Sequence, residues 1–294
     1  MMALSYTLKR SAFAQKPANG LRRRVLVTGA AGNIGSYFAE RSSARYSLRL
    51  MLREGDDPKD LNRHGELVQG DLADLDEMKQ LCAGVDTVLH LAANPSPSAT
   101  WAEILPANII GTYNTFIAAK AAGCRRVIYA SSIHAVSGYP ADVQVKTSDP
   151  VNPGDLYGVS KCFAEALGRY VAEKEDLSVI ALRIGAFQPR ETAHDPENVG
   201  LLDAFVSRRD LNQLIERCIE ADHLQFAIFN GLSNNRFKRL DISDARELVG
   251  YEPQDDFAEE NPALEPTGVA DDVRAHSRAD ETQKSGIREE LGHS

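Results

Sequence analysis

The stretch Val25-Leu-Val-Thr-Gly-Ala-Ala-Gly-Asn-Ile-Gly35 constrains this chain more than any other. A β-branched and apolar run breaks into Gly29, Gly32 and Gly35, and a helical pattern follows, which reads as strand, phosphate loop and helix start. In such a turn Gly29 permits the tight bend, Gly32 lets the backbone approach a pyrophosphate, and Gly35 lets the helix pack closely on the strand. Ala31, Asn33 and Ile34 complete the loop, with the helix dipole facing the anion. A glycine triplet alone also suits a plain turn, so the rest of the chain has to decide.

Strand and helix patterns alternate beyond it. Asn33 to Arg45 reads as a helix, Ser47 to Leu52 as the second strand, Glu66 to Leu72 as the third, and Leu75 to Cys82 as a helix. The fourth strand, Thr87 to Ala93, is almost continuously apolar, as a parallel strand covered on both faces should be. Its small Ala92 and Ala93 lie where a cofactor would need close approach; Leu91 before them, and the Asp71-Leu72 pair that ends the third strand, are further expected cofactor contacts. Asn94 to Ser98 is a loop by composition. A long helix from Trp101 to Ala122, a strand from Arg126 to Ser131, a helix to about Glu173 and a strand from Asp176 to Ile184 follow. This alternation predicts an α/β fold, a doubly wound parallel-sheet Rossmann domain with its ligand at the carboxyl edge.

The expected divisions are a flexible N-terminal extension over 1–22, the dinucleotide-binding domain over 23–185, a small substrate lobe over 186–260, and a polar tail over 261–294, disordered or wrapped on the surface. Within the lobe, Gln188 to Gly200 is a polar loop that closes over the ligand. Leu201 to Ala221 reads as a helix, Leu224 to Phe229 as a strand, and Ile242 to Val249 as a short helix stopped by Gly250 and Pro253.

At the end of the second strand an acid usually binds the ribose of NAD, whereas an arginine accommodates the extra phosphate of NADP. Leu52 stands where the acid is sought and Arg53 follows, which favours NADP over NAD. Glu54, Asp56 and Asp57 keep NAD open.

Charge narrows the partners. The formal net charge is -9, and the first 24 residues hold six basic residues and no acid, so the remaining body carries -15. Such a body is a poor nucleic-acid binder. No apolar run approaches the ~20 residues of a membrane helix. Cys82, Cys124, Cys162 and Cys218 are scattered, which points to free thiols in a reducing compartment, the cytoplasm, and to no metal site. The basic, acid-free arm superficially suits a transit peptide, but a plain extension is the preferred reading.

The segment Leu156-Tyr-Gly-Val-Ser-Lys161 opens a helix after a Pro/Asp/Gly-rich connection. Tyr157 and Lys161 are four residues apart and share one helical face. A phenol is a poor base at neutral pH, but a neighbouring cation favours the phenolate by about one to three pKa units. The pair therefore suits moving a hydroxyl proton while a hydride leaves the same carbon.

Together, Thr28-Gly-Ala-Ala-Gly-Asn-Ile-Gly35, Asp71-Leu72, His90-Leu-Ala-Ala93, Ser131-Ser132 and Tyr157-Gly-Val-Ser-Lys161 resemble the extended short-chain dehydrogenase/reductase superfamily, over about residues 23 to 255. Asn108-Ile-Ile-Gly-Thr-Tyr-Asn114, Ser131-Ser-Ile-His134, Leu156 to Cys162 and Arg183-Ile-Gly185 are similar to the uronate dehydrogenases and related haloarchaeal-type sugar-phosphate dehydrogenases, which oxidise an anomeric carbon to a lactone. The resemblance implies Tyr157 as general base, Lys161 lowering its pKa and holding the nicotinamide ribose, and cofactor contacts at Asn108 and Ile184. It implies Ser132 as the hydroxyl that positions the substrate oxygen, with Ser131 as fallback. His134, Ile133 and Ser96 are expected to face the substrate. It also implies a homodimer, because the helices from Trp101 and Asp155 often pair across one.

Two departures bear on the substrate. Ala186 stands where the uronate enzymes have a serine, and Gly200 where they have the arginine that grips the carboxylate. Arg190, Arg208 or Arg209 are the candidate substitutes. The expected activity is NAD(P)-dependent oxidation of a small sugar, sugar phosphate or uronic acid. The alternative is a nucleotide-sugar epimerase or dehydratase that retains its cofactor.

Overall fold

The computed structural model describes residues 5–9 and 22–264. Its elements run β1 (Tyr6–Leu8), β2 (Arg24–Thr28), α1 (Asn33–Ser42), β3 (Ser47–Leu52), β4 (Glu66–Gln69), α2 (Leu75–Cys82), β5 (Thr87–His90), α3 (Trp101–Ile104), α4 (Thr112–Ala121), β6 (Arg126–Ser132) and α5 (Leu156–Lys174). Then come β7 (Ser178–Ile184), β8 (Ala186–Gln188), β9 (Phe205–Ser207), α6 (Arg208–Glu220), β10 (Leu224–Gly231), α7 (Ser243–Val249) and α8 (Phe257–Glu260).

Eight strands form one sheet in the order β1-β10-β7-β6-β5-β2-β3-β4. Strands β2 to β7 and β10 pair in parallel, which demands crossovers and buries both faces. Alternation along β2 shows how: Val25 and Val27 pack with Phe38 of α1 and Leu214 of α6, while Leu26 packs with Met78 of α2, Phe116 of α4 and Ala164 of α5. Each such fully buried side chain contributes roughly 1.5–3 kcal/mol.

The structure departs from the sequence expectation in four places. First, Tyr6–Leu8 of the expected extension is an antiparallel edge strand on β10; residues 1–4 and 10–21 of that arm, and the tail from residue 265, lie outside the described residues. Second, residues 201–221 are not one helix. Phe205 is pulled into contact with Phe257, β9 pairs with β8, and Ser207 caps α6 by accepting the Asp210 N–H at 3.2 Å. The Ser207-Arg-Arg-Asp210 spacing carries that start signal. Third, α6 and β10 join the main layers, so the expected lobe over 186–260 shrinks to β8, β9, α7, α8 and their loops.

Fourth, the helix predicted from Trp101 to Ala122 is interrupted by a π-helical segment, Leu105–Gly111, beginning one residue before Pro106. Proline removes a backbone donor, and the widened turn is a common answer to it. The widening turns Asn108 into the protein, where it is fully buried.

Candidate active site

Strand β2 has β3 on one side and β5 on the other, so chain direction across the sheet reverses there and a crevice opens at the carboxyl ends. Two cavities fill it, of about 580 Å³ and about 370 Å³. They share Gly29, Ala92, Ala93 and Pro95, and so form one cleft across the glycine turn. Gly29 has φ 69°, and a Cβ there would lie 2.9 Å from the Ala92 nitrogen. A Cβ on Gly35 would lie 2.5 Å from the Gly29 carbonyl oxygen. No side chain caps α1 and its first turn holds no acid. Its leading N–H groups are therefore available to a diphosphate, and the elongated cleft fits a dinucleotide.

The larger cavity is lined by Met51, Arg53, Asp56, Asp71 and Leu72. Arg53 is 83% exposed and pairs loosely with Asp56 at 3.5 Å. Gly32, Asn33, Ile34, Leu91 and Ile184 line the other cavity, together with Ser132, Tyr157 and Lys161. Ala31 packs on the core behind the turn.

Strand alternation separates the two serines. Ser131 donates to Glu165 Oε1 at 2.6 Å inside a buried cluster, in which Arg183 forms a bidentate pair with Glu165. Ser132 instead lines the cleft together with Tyr157, and its Oγ accepts the His134 N–H at 3.2 Å. Lys161 is buried, donates to the Ala130 carbonyl at 2.7 Å, and lies 5.2 Å from the Tyr157 ring centre. Burial pushes its pKa down to about 7, against the pull of Glu165. Burial also raises the Tyr157 pKa, the neighbouring Ser132 hydroxyl opposes it, and the Asp155 charge adds to it. The expected lowering of the phenol by the lysine is not among the causes of its shift, and desolvation, which disfavours the charged form, leads for both groups.

Ser132→Ala should therefore move the ascending limb of kcat/KM against pH upward. Ser132 lowers the Tyr157 pKa against the effect of burial, and a phenol that acts as a base must be deprotonated. A pH profile with an unmoved limb would contradict this.

His134 packs edge-on against Tyr157, ring centres 5.3 Å apart, and its Nδ1 lies 2.6 Å from Asp155 Oδ2. Other expected residues sit elsewhere. Asn108 does not line the cleft: it bonds the Asn94 backbone in both directions and the Ser160 hydroxyl, at 2.8 to 3.0 Å, and so fixes the loop that carries Pro95. Ser96 and Ala186 are only partly exposed and outside both halves of the cleft; Ser96 bonds Ser98, and Ala186 donates to the Ala204 carbonyl in β8.

Ile133 borders a third cavity of about 230 Å³, with Ser137, Gly200, Asp203 and Arg239. None of Arg190, Arg208 and Arg209 reaches it; they line a separate groove beside Tyr37 and Arg41, where Arg190 and Arg209 pair with Asp255. Arg239, which no motif marks, is the cation beside Gly200. It comes from the loop after β10 and is held by the Ser137 and Tyr139 carbonyls. Among the described residues no group of three or more His, Cys, Asp or Glu could hold a metal ion, and no helix is long and apolar enough to cross a membrane.

The chain is 35% identical over 250 residues to an NAD-dependent glucose-6-phosphate dehydrogenase of Haloferax volcanii, spanning 80% of this chain and 94% of the relative. It is 37% identical over 233 residues to a uronate dehydrogenase of Agrobacterium fabrum, spanning 79% and 85%. A solved mutant uronate dehydrogenase from Agrobacterium tumefaciens complexed with NAD superposes with a TM-score of 0.72 at 34% identity, covering 81% of this chain and 87% of that one. The family model described as NAD dependent epimerase/dehydratase family matches residues 25–245, and the chain belongs to that family.

Proposed function

We propose that this protein is an NAD(P)-dependent dehydrogenase that oxidises the anomeric carbon of a small sugar, sugar phosphate or uronic acid to a lactone. The observation that carries the reading is the convergence of Tyr157, Ser132 and Lys161 on the cleft floored by the Gly29–Gly35 turn. A bound nicotinamide supplies the hydride acceptor. Ser132 holds the substrate hydroxyl, Tyr157 Oη takes its proton, and Lys161 holds the ribose beside them.

The third cavity, at about 230 Å³, is below the usual span of ligand pockets, ~300–1,000 Å³, which suits a free sugar rather than a nucleotide-sugar. Arg239 is then the group that would meet an anionic substituent. Arg53, beside a strand end that lacks an acid, tips the cofactor toward NADP, while Asp56 and Asp71 leave NAD usable. Incubation with aldoses, uronates and sugar phosphates plus NAD or NADP tests the reading; reduced cofactor from none of them overturns it. An epimerase would instead purify with its dinucleotide bound and need none added. Free cysteines, three of them buried, fit a reducing cytoplasm.

The chain also reads as a homodimer. Ile110 just before α4, Tyr113 on α4, and Val159, Phe163 and Tyr170 at helical spacing on α5 are exposed on neighbouring helices. A contiguous apolar face of this kind marks an association surface. Light scattering should give twice the chain mass of 32.2 kDa, and Phe163→Glu should halve it; a monomer in the wild type removes the proposal.

A further inference from the structure

The segment that ends in Asp155 does more than connect two elements. One carboxylate oxygen, Oδ1, accepts the Gly158 N–H at 2.7 Å and caps α5, the helix that carries Tyr157 and Lys161. The other, Oδ2, lies 2.6 Å from His134 Nδ1. His134 sits in the short turn after β6, two residues beyond Ser132. The two pieces are docked tightly: a Cβ on Gly158 would collide with the His134 carbonyl oxygen, the Gly138 N–H donates to the Asn152 carbonyl, and the Asn152 N–H donates to the Ala135 carbonyl. His134 Nε2 has no partner among the described residues, and the side chain is 29% exposed beside the Tyr157 ring.

We infer that Asp155 is a positioning residue: it holds His134 with the proton on Nδ1, so that Nε2 offers a lone pair to a hydroxyl of the substrate next to the reacting carbon. A carboxylate can only accept, so it selects the Nδ1–H form and leaves Nε2 as the acceptor. The ligand class is a polyol whose hydroxyl donates to Nε2. The inference rests on the dehydrogenase reading for its kinetics, but the tautomer itself does not.

Asp155→Asn separates the two duties of the residue. The amide oxygen still caps α5, because asparagine is as good a cap as aspartate. The amide nitrogen then faces Nδ1 and can only donate, which puts the ring proton on Nε2. Outer partners of metal-bound histidines cost 10–100-fold when substituted; with the same orienting duty here, we expect kcat/KM for the sugar to fall by about 10-fold or more, with the thermal midpoint nearly unchanged. The charge effect runs the other way, since the Asp155 carboxylate raises the Tyr157 pKa and its removal eases deprotonation.

Two readouts decide the matter. Nitrogen-15 spectra of the imidazole should show the proton on Nδ1 in the wild type and on Nε2 in Asp155→Asn; the same tautomer in both overturns the inference, whatever the enzyme turns over. In a His134→Ala background, adding Asp155→Asn should lower kcat/KM by less than twofold. A further loss of the full factor would mean that Asp155 acts through the helix cap alone, and would also overturn it. If the wild type turns over no sugar while the spectra behave as expected, the dehydrogenase reading fails and the tautomer assignment stands.

Discussion

Replacing Tyr157 by phenylalanine should lower kcat by about 10²–10⁴-fold while leaving dinucleotide affinity within a few-fold. The substitution removes one oxygen and little else. The ring keeps its edge contact with His134 and its place beside the Lys161 ammonium. The glycine turn and the strand ends that line the cleft are untouched. What disappears is the proton acceptor, beside Ser132 and Lys161 on the cleft wall. Fluorescence titration with the dinucleotide and steady-state turnover on the best sugar of the panel check both halves. Turnover within tenfold of the wild type would remove Tyr157 from the chemistry, and loss of dinucleotide binding would mean that the ring supports the cleft instead.

The second large effect is on stability. Glu165→Ala should cost about 3–5 kcal/mol, because removing one partner leaves a buried charge unpaired. Arg183 is 1% exposed and Glu165 3%. The carboxylate accepts from the Arg183 Nε and Nη2 at 3.0 and 2.9 Å and from Ser131 at 2.6 Å. Arg183 Nη1 already lacks a partner, so nothing nearby stands ready to take up the freed guanidinium. This cluster ties α5 to β6 and β7, and through them the base to the strand end that carries Ser132. Denaturant unfolding should register the loss. The double substitution Glu165→Met with Arg183→Met should recover most of it, since an apolar pair of similar volume avoids the desolvation cost. A loss under about 1 kcal/mol for the single variant would show that water reaches the site.

The sheet and the cleft were legible in the sequence because their signals are local. Ser47–Leu52 and Leu75–Cys82 form as their patterns predict, and Gly29 needs its left-handed backbone for a reason visible in the motif itself. Groups that act across long sequence separations were not legible. Arg239 reaches the cavity beside Gly200 from a loop with no motif, and Asp155 reads only as the end of a Pro/Asp/Gly-rich connection until the fold brings His134 against it. The Asn108 motif was visible, but its role changes because the π-helical turn buries the side chain against Asn94 and Ser160. The edge strand Tyr6–Leu8 was hidden by its basic surroundings; three residues leave too little alternation to read. The lysine–tyrosine pair was visible too, but the sign of its net effect depends on burial, which spacing does not encode.

The central claim is that the hydride leaves the anomeric carbon of a sugar and goes to a dinucleotide held on the Gly29–Gly35 turn. The most direct measurement uses the best sugar of the panel deuterated at that carbon, with oxidised cofactor, and mass spectrometry of the reduced cofactor. The account predicts one deuteron per reduced nicotinamide and slower turnover than with the unlabelled sugar. Reduced cofactor without the label, or no reduction at all, would contradict it.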